Sequence, residues 1–318
     1  MTDFAIGVDL GGTNLRIAAV DSEGHVLERL QLPAEVGSGP TPVIDVLSDA
    51  VMELRERFAV SGAKLVGVGV GVPGIIFLST GLLKKSPNLP GWDDFPVKQE
   101  IERRIGTKVY LENDANAAAL GEAWVGVARN VRHLCLLTLG TGVGGGILIN
   151  GHILHGADGM AAEVGHMTIE TNGPLCGCGN HGCLEQYASA TAIVRMAREA
   201  VALGRSERLA GVECENRLTS KRVYETARAG DPVAQEIFVT MGRALGVGIA
   251  TLINVLNPAL VVLGGGVAAA WDAFAPAMFD ELPRRCYIHR EIPVRIERAQ
   301  LGNDAGLVGA AYLAIQPT

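Results

Sequence analysis

Ile6-Gly-Val-Asp-Leu-Gly-Gly-Thr-Asn-Leu-Arg-Ile-Ala-Ala-Val20 is an apolar run, a glycine-rich turn and a second apolar run. Short apolar runs bounded by turn residues read as buried strands, so residues 4–9 and 15–20 are two strands joined at Gly11-Gly12, where glycine accepts backbone angles that other residues resist. Asp21-Ser-Glu-Gly24 is a second hairpin turn before Val26 and Leu27, and antiparallel pairing follows. The stretch occurs twice. Laid on the stretch that ends at Ile149, at an offset of 129 residues, Gly11 falls on Gly140. The second turn is two residues shorter, after which Gly24-His25-Val26-Leu27 lies on Gly151-His152-Ile153-Leu154 at an offset of 127. A single repeat at this spacing predicts two similar α/β domains facing each other, not a solenoid with a period of about 20–50 residues. A ligand site is expected in the cleft between them.

Outward from the repeat, Val43, Val46, Leu47, Ala50, Val51, Leu54 and Phe58 have helical spacing, and 64–72 reads as another buried strand. Residues 191–202, 221–228 and 233–256 read as helices, the last ending at Asn257-Pro258 because proline cannot continue it. A strand at 259–263 feeds Gly264-Gly265-Gly266, and 305–315 is a closing helix rich in alanine and glycine, able to pack closely on a sheet. The 318 residues are 48% hydrophobic and 19% charged, an ordinary globular composition with material for two domains. The 41 glycines follow no three-residue period, which excludes collagen.

The 27 basic and 34 acidic residues give a net charge of −7 without a run of five like charges, so nucleic acid is not an expected partner. No basic, then apolar leader opens the chain, and no uninterrupted apolar window of about 18 residues spans a membrane. The expected location is cytoplasmic. Six cysteines stand at 135, 176, 178, 183, 214 and 286, three of them within eight residues. That pattern points to metal ligation rather than a disulfide framework.

Three glycine-rich turns each follow a strand: Leu10-Gly-Gly-Thr-Asn14, Leu139-Gly-Thr-Gly-Val-Gly-Gly-Gly146 and Leu263-Gly-Gly-Gly266. Backbone amides in such turns approach an anion without a Cβ in the way, and Thr13 and Thr141 add hydroxyl donors. Taken singly each is a tight turn; together they point to phosphate. None fits the Walker or dinucleotide pattern. Asp9, at a strand end beside the first turn, is a carboxylate that needs a partner: either it caps the turn or it serves Mg²⁺, which keeps most of its waters. Asn113 and Asp114 stand where a strand gives way to an alanine-rich helix. N-capping explains one of them; the pair also suits a polyol, with Asp114 held ionised by the helix dipole and able to accept a hydroxyl proton. Cys176-Gly-Cys178-Gly-Asn-His-Gly-Cys183 with His166 makes a three-thiolate, one-imidazole set characteristic of structural zinc, and His181 competes for the fourth place. Glu163, His166 and Glu185 flank the cluster and offer acceptors to sugar hydroxyls.

Asp9-Leu-Gly-Gly-Thr-Asn14, Glu112-Asn-Asp-Ala-Asn116, Gly140-Thr-Gly-Val-Gly-Gly-Gly146, Glu163-Val-Gly-His166 and Cys176-Gly-Cys-Gly-Asn-His-Gly-Cys-Leu-Glu185 together resemble the ROK family of sugar kinases and repressors, most closely its bacterial glucokinase branch. The resemblance runs from residue 4 to the final helix. It implies an α/β fold of two ribonuclease-H-like domains, as in actin- and hexokinase-like ATPases, with an interdomain cleft. Residues 1–112 with 303–318 would form the N-terminal domain, and 113–302 the C-terminal domain with an inserted zinc loop at about 166–185. It places ATP, with Mg²⁺, on Asp9, Gly11, Gly12, Thr13, Asn14, Thr141, Gly142, Gly264 and Gly265. It makes Asp114 the catalytic base and assigns hexose contacts to Asn88, Asn113, Asp114, Glu163, His166 and Glu185. Structural Zn²⁺ falls on His166, Cys176, Cys178 and Cys183, so that His166 would serve metal and sugar with one ring nitrogen each.

The implied reaction is transfer of the ATP γ-phosphoryl group to the 6-hydroxyl of glucose by a homodimer or homotetramer, with domain closure excluding water. Kinases of N-acetylmannosamine, N-acetylglucosamine, fructose or allose are the nearest alternatives, and ADP or polyphosphate the alternative donors. A sugar-responsive repressor would carry a helix-turn-helix ahead of the first strand, for which the eight residues before Asp9 leave no room.

Overall fold

The computed structural model describes residues 3–316. Strand β1 (Phe4–Leu10) is the centre of the first sheet, with Phe4, Ile6, Val8 and Leu10 entering one core and Ala5 the other. β2 (Asn14–Asp21) and β3 (Val26–Pro33) continue as an antiparallel meander, with Gly24 at the second turn in the left-handed region at φ 88°. β3 alternates half-buried and exposed residues, as an edge strand with one covered face does. Helix α1 (Pro40–Ala59) starts with proline in its first turn and buries Val43, Ile44, Leu47, Val51 and Leu54 against β1 and β2 residues. β4 (Leu65–Val72) returns parallel to β1. A short hairpin, β5 (Ile75–Phe77) and β6 (Leu82–Lys85), precedes α2 (Val97–Ile105), β7 (Val109–Asn113) parallel to β4, and α3 (Asp114–Trp124). The sheet order is β3-β2-β1-β4-β7.

β8 (Leu134–Leu139), β9 (Val143–Ile149) and β10 (His152–Ile153) repeat the opening, with Gly151 at φ 86° where the first copy has Gly24. They are followed by α4 (Glu185–Ala188), α5 (Ala190–Ala202), α6 (Glu207–Cys214), α7 (Ser220–Arg228), α8 (Pro232–Leu256), β11 (Leu260–Gly264), α9 (Trp271–Arg285), α10 (Tyr287–Glu291) and β12 (Arg295–Arg298). The second sheet, β10-β9-β8-β11-β12, matches the first strand by strand. α8 begins under an Asp231 cap that accepts the Ala234 N–H at 2.8 Å, and stops where Asn257 turns left-handed at φ 45° before Pro258. By length and composition α8 is apolar enough to cross a membrane. It is nevertheless a core helix: a Cβ at Gly242 would lie 2.1 Å from the Phe274 carbonyl oxygen of α9, so the two backbones touch.

The last helix, α11 (Ala305–Ile315), covers the other face of the first sheet. The contact is backbone to backbone. A Cβ at Gly7 would stand 1.9 Å from the Leu307 carbonyl oxygen, and one at Gly69 1.7 Å from that of Ala310. α3 lies beside α11 by the same device, since a Cβ at Gly309 would come 1.6 Å from the Ala117 carbonyl oxygen. Buried Glu122, near the end of α3, accepts the Leu301 N–H at 2.7 Å and the Val127 N–H at 2.9 Å.

The chain divides into two compact units, Met1–Leu134 with Gly146–Ala162 and Ala299–Thr318, and Cys135–Gly145 with Glu163–Arg298. The closing helix belongs to the first unit. So does α3, held by its glycine-lined seam with α11 and by the Glu122 bonds.

Candidate active site

In the first unit, Asp9 stands opposite Arg16 in the β1–β2 register, and the two side chains form an ion pair. On its other side a Cβ at Gly306 would lie 3.4 Å from Asp9 Oδ2, so the first turn of α11 also faces the carboxylate. Burial pushes the Asp9 carboxyl above its ordinary value while Arg16 pulls it down. The cation that the sequence demanded beside Asp9 is thus supplied in part by Arg16, and hairpin register is the signal that could have found it. The glycine turn beyond is closed by the Gly11 N–H, which donates to the Asn14 carbonyl at 3.0 Å, and anchored by the Thr13 carbonyl, which accepts the Ala34 N–H at 2.9 Å. Neither Gly11 nor Gly12 has the left-handed backbone expected from the sequence. Space is what requires glycine at 12, where a Cβ would meet the Asn88 carbonyl oxygen at 2.8 Å. Asn88 is therefore packed against the turn, on an exposed loop held by its N–H to Ser86 Oγ at 3.2 Å.

Asn113 ends β7 and caps α3, its Oδ1 accepting the N–H groups of Ala115 at 2.9 Å and Asn116 at 3.2 Å. Asp114, the first helical residue, is half-buried and accepts the Ala115 N–H at 2.9 Å. One residue suffices for the cap, and the helix dipole favours a negative charge on the other. Before them, Glu112 is 3% exposed, and its carboxylate reaches the Asn113 N–H, the Asn116 side chain and His155. No role for Glu112 or His155 was legible in the sequence, because their pairing spans 43 residues.

In the second unit, the Gly140 N–H closes its turn on the Gly142 carbonyl at 3.0 Å. The start of α5 latches the turn from outside: the Ala190 N–H donates to the Gly140 carbonyl at 2.8 Å and Thr191 Oγ1 to the Thr141 carbonyl at 2.8 Å. Glu185 Oε2 accepts the Val143 N–H at 3.1 Å, and a Cβ at Gly142 would lie 2.3 Å from that oxygen. The structure therefore brings Glu185 against the turn that holds Thr141 and Gly142. Gly165, inside Glu163-Val-Gly-His166, packs on the same strand start: its Cβ would stand 2.0 Å from the Val143 carbonyl oxygen. At the third turn Gly264 ends β11, and Gly265 is left-handed at φ 82° with no room for a side chain beside Leu139.

Ligand atoms of His166, Cys176, Cys178 and Cys183 all lie within 4.8 Å of one another. Tetrahedral zinc with Zn–S bonds of about 2.3 Å requires sulfurs about 3.8 Å apart and a nitrogen about 3.6 Å from sulfur. The Cys178 and Cys183 sulfurs are 3.7 Å apart, and His166 Nδ1 is 3.7 Å from the Cys176 sulfur. The donor set fits zinc. His181 instead turns Nδ1 to the Gly173 carbonyl at 3.1 Å. The loop is built to this geometry by the Cys176 N–H bond to the Asn180 carbonyl at 2.7 Å and the Ile169 N–H bond to the Gly182 carbonyl at 2.9 Å. Burial pushes the Cys183 thiol up to about 12, whereas the Asn180 N–H lowers that of exposed Cys178. The other ring nitrogen of His166, Nε2, is 4.0 Å from Glu163 Oε2, and Cys176 also contacts Glu185 Oε1 at 3.7 Å. Candidate metal ligands and candidate sugar acceptors form one cluster.

A cavity of about 670 Å³ opens on the first unit beside Ser22, His25, Trp124, Arg132 and Tyr312. It lies at the opposite end of β2 from Gly12, and none of the candidate residues lines it.

The ROK family model matches residues 5–317. The glucokinase of Halalkalibacterium halodurans is 38% identical over 98% of this chain and 94% of its own length. That of Thermotoga maritima is 38% identical over 97% and 96%. Among solved structures, a ROK family glucokinase from Streptomyces griseus in complex with glucose and AMPPNP superposes with a TM-score of 0.83 at 36% identity, covering 98% of both chains. Two sheets of matching strand order, glycine turns after β1, β8 and β11, the Asn113-Asp114 helix start and the cysteine loop thus occur together in a chain that belongs to the ROK family.

Proposed function

We propose that this chain is an ATP-dependent glucokinase, transferring the γ-phosphoryl group of ATP to the 6-hydroxyl of glucose with Asp114 as general base. The observation that carries the reading is the near-full-length likeness to the Streptomyces griseus glucokinase, whose structure holds glucose and AMPPNP. Asp114 accepts the hydroxyl proton as the oxygen attacks phosphorus, its carboxylate kept charged at the start of α3. Asn113, with Oδ1 engaged as the cap, contacts the sugar through its amide nitrogen. Asn88, Glu163, His166 and Glu185 supply the remaining sugar contacts, the two carboxylates accepting from hydroxyl groups.

The amides of Gly12, Thr141 and Gly142 face the phosphates, with Thr13, Asn14, Gly264 and Gly265 shaping the turns; Gly11 closes its turn. Asp9 would hold Mg²⁺, which would supply charge neutralisation to the phosphates. His166, Cys176, Cys178 and Cys183 would hold a structural zinc, which would fix the loop that carries the sugar acceptors. Six free thiols suit a reducing cytoplasm. Exposed Phe279, Tyr287 and Ile292 on the second unit support a homodimer or homotetramer, which light scattering tests.

The deciding experiment is a matrix of donors (ATP, ADP, polyphosphate) against glucose, N-acetylmannosamine, N-acetylglucosamine, fructose and allose. ATP with glucose is expected to give the highest kcat/KM. A higher value for any other pair replaces the substrate or donor named here.

A further inference from the structure

We propose that Glu112 and His155 are a positioning pair that sets where Asp114 stands, and that they govern turnover rather than substrate affinity. The inference rests on the reading of Asp114 as base. A carboxylate as buried as that of Glu112 is stable only when its lone pairs are taken up. Oε1 accepts the Asn113 N–H at 2.9 Å and Asn116 Nδ2 at 3.0 Å, and Oε2 meets His155 Nε2 at 2.7 Å. Asn113 is the last residue of β7 and Asn116 the third of α3, so Glu112 grips the chain on both sides of the bend that presents Asp114.

Asn116 is buried and turns its amide nitrogen to Glu112, leaving its Oδ1 without a hydrogen-bond partner. The orientation follows the carboxylate's demand rather than its own. His155 completes the grip from outside the β7–α3 bend. It follows β10, and its carbonyl accepts the Ala161 N–H at 3.1 Å, closing the loop that leads along the chain into Glu163. The Glu112 carboxylate accepts from His155 Nε2 at 2.7 Å, a bond that pushes the imidazole above its ordinary value, and a hydrogen bond to an ionised carboxylate is shorter and stronger than a neutral one. Stiffness at this place matters because a proton acceptor displaced by about 1 Å loses about a hundredfold in rate, whereas binding groups elsewhere are untouched.

The test measures kcat, KM for glucose and KM for ATP in His155→Ala, His155→Gln, Glu112→Gln, Asp114→Asn and the double variant Asp114→Asn with His155→Ala, each checked for folding by its melting curve. His155→Ala is expected to lower kcat about tenfold or more, with both KM values within about threefold. His155→Gln, whose amide can still donate to Glu112, should recover most of the loss. Adding His155→Ala to Asp114→Asn should lower kcat by no more than about twofold further, because the group being positioned is already gone. Glu112→Gln, which preserves shape, provides the same kcat–KM split should His155→Ala not fold. An unchanged kcat in His155→Ala, a glucose KM that rises as much as kcat falls, or fully additive losses in the double variant would overturn the pair's role. Asp114→Asn retaining more than about a tenth of wild-type turnover would instead remove the base assignment itself.

Discussion

Asn113 and Asp114 are neighbours of similar shape, and the structure gives them different work. Asn113 Oδ1 holds two amides of α3, while Asp114 carries its carboxylate into the first turn of that helix. Asn113→Ala is therefore expected to lower unfolding free energy by about 1 kcal/mol in a denaturant titration. Asp114→Asn should leave the melting curve and glucose binding nearly unchanged while lowering turnover on the order of 10²–10⁴-fold, read by steady-state kinetics beside calorimetric binding. Gly165→Ala acts by a third route. Its Cβ would overlap the Val143 carbonyl oxygen at 2.0 Å, so Glu163 and His166 must move, and glucose KM should rise even though no ligand atom is altered. The residue types at these positions were legible because a carboxylate or amide at a helix start and a glycine in a motif each carry a physical reason of their own. The partners were not: Arg16 beside Asp9, Asn88 against Gly12 and Glu185 against Gly142 are set by register and by loops, which one-dimensional spacing does not encode.

The cysteine loop and the start of β9 share Glu185, which accepts the Val143 N–H and contacts Cys176. Removing zinc, by chelation or by Cys178→Ser, should raise glucose KM about tenfold or more, with a smaller rise for ATP transmitted through Gly142. Elemental analysis should find about one zinc per chain in the wild type and none in the variant. Equal losses for both substrates would show the loop supporting the fold as a whole. Thiol reagents offer a second view: in the zinc-loaded protein exposed Cys214 should react first, Cys178 should join it after chelation, and Cys135 and Cys286 should wait for unfolding. Burial supports that order, since it pushes the Cys135 thiol up to about 12. Long elements with a strong apolar period, such as α1 and α8, were readable within a few residues. α9 was hidden by Pro276 and Pro283 inside it, and α2 by having only Val97, Ile101 and Ile105 on its buried face.

At the scale of the whole chain, the two sheets share one strand order, and the repeat in sequence was enough to anticipate it. The division into units was less legible, because α3 is assigned by packing on a helix nearly two hundred residues later. The same packing explains why Gly7, Gly69, Gly121 and Gly309 lie in regular elements rather than in turns. Gly69→Val is expected to be among the most damaging single changes, since the new side chain meets backbone at 1.7 Å and the helix must lift off the sheet. Its melting temperature should fall well below those of the active-site variants.

Among the described elements, that helix is also the last one made. A ribosome adding about 5–20 residues per second takes roughly 15 to 60 s to pass from β1 to α11. Throughout that interval β1 has no α11 to lie on its glycine and alanine face. The nascent first sheet must be kept from aggregating until the final turns emerge. A chain that stops short of Ala305 should therefore depend on chaperones in a way that one carrying α11 does not, and that helix decides when β1 is safe.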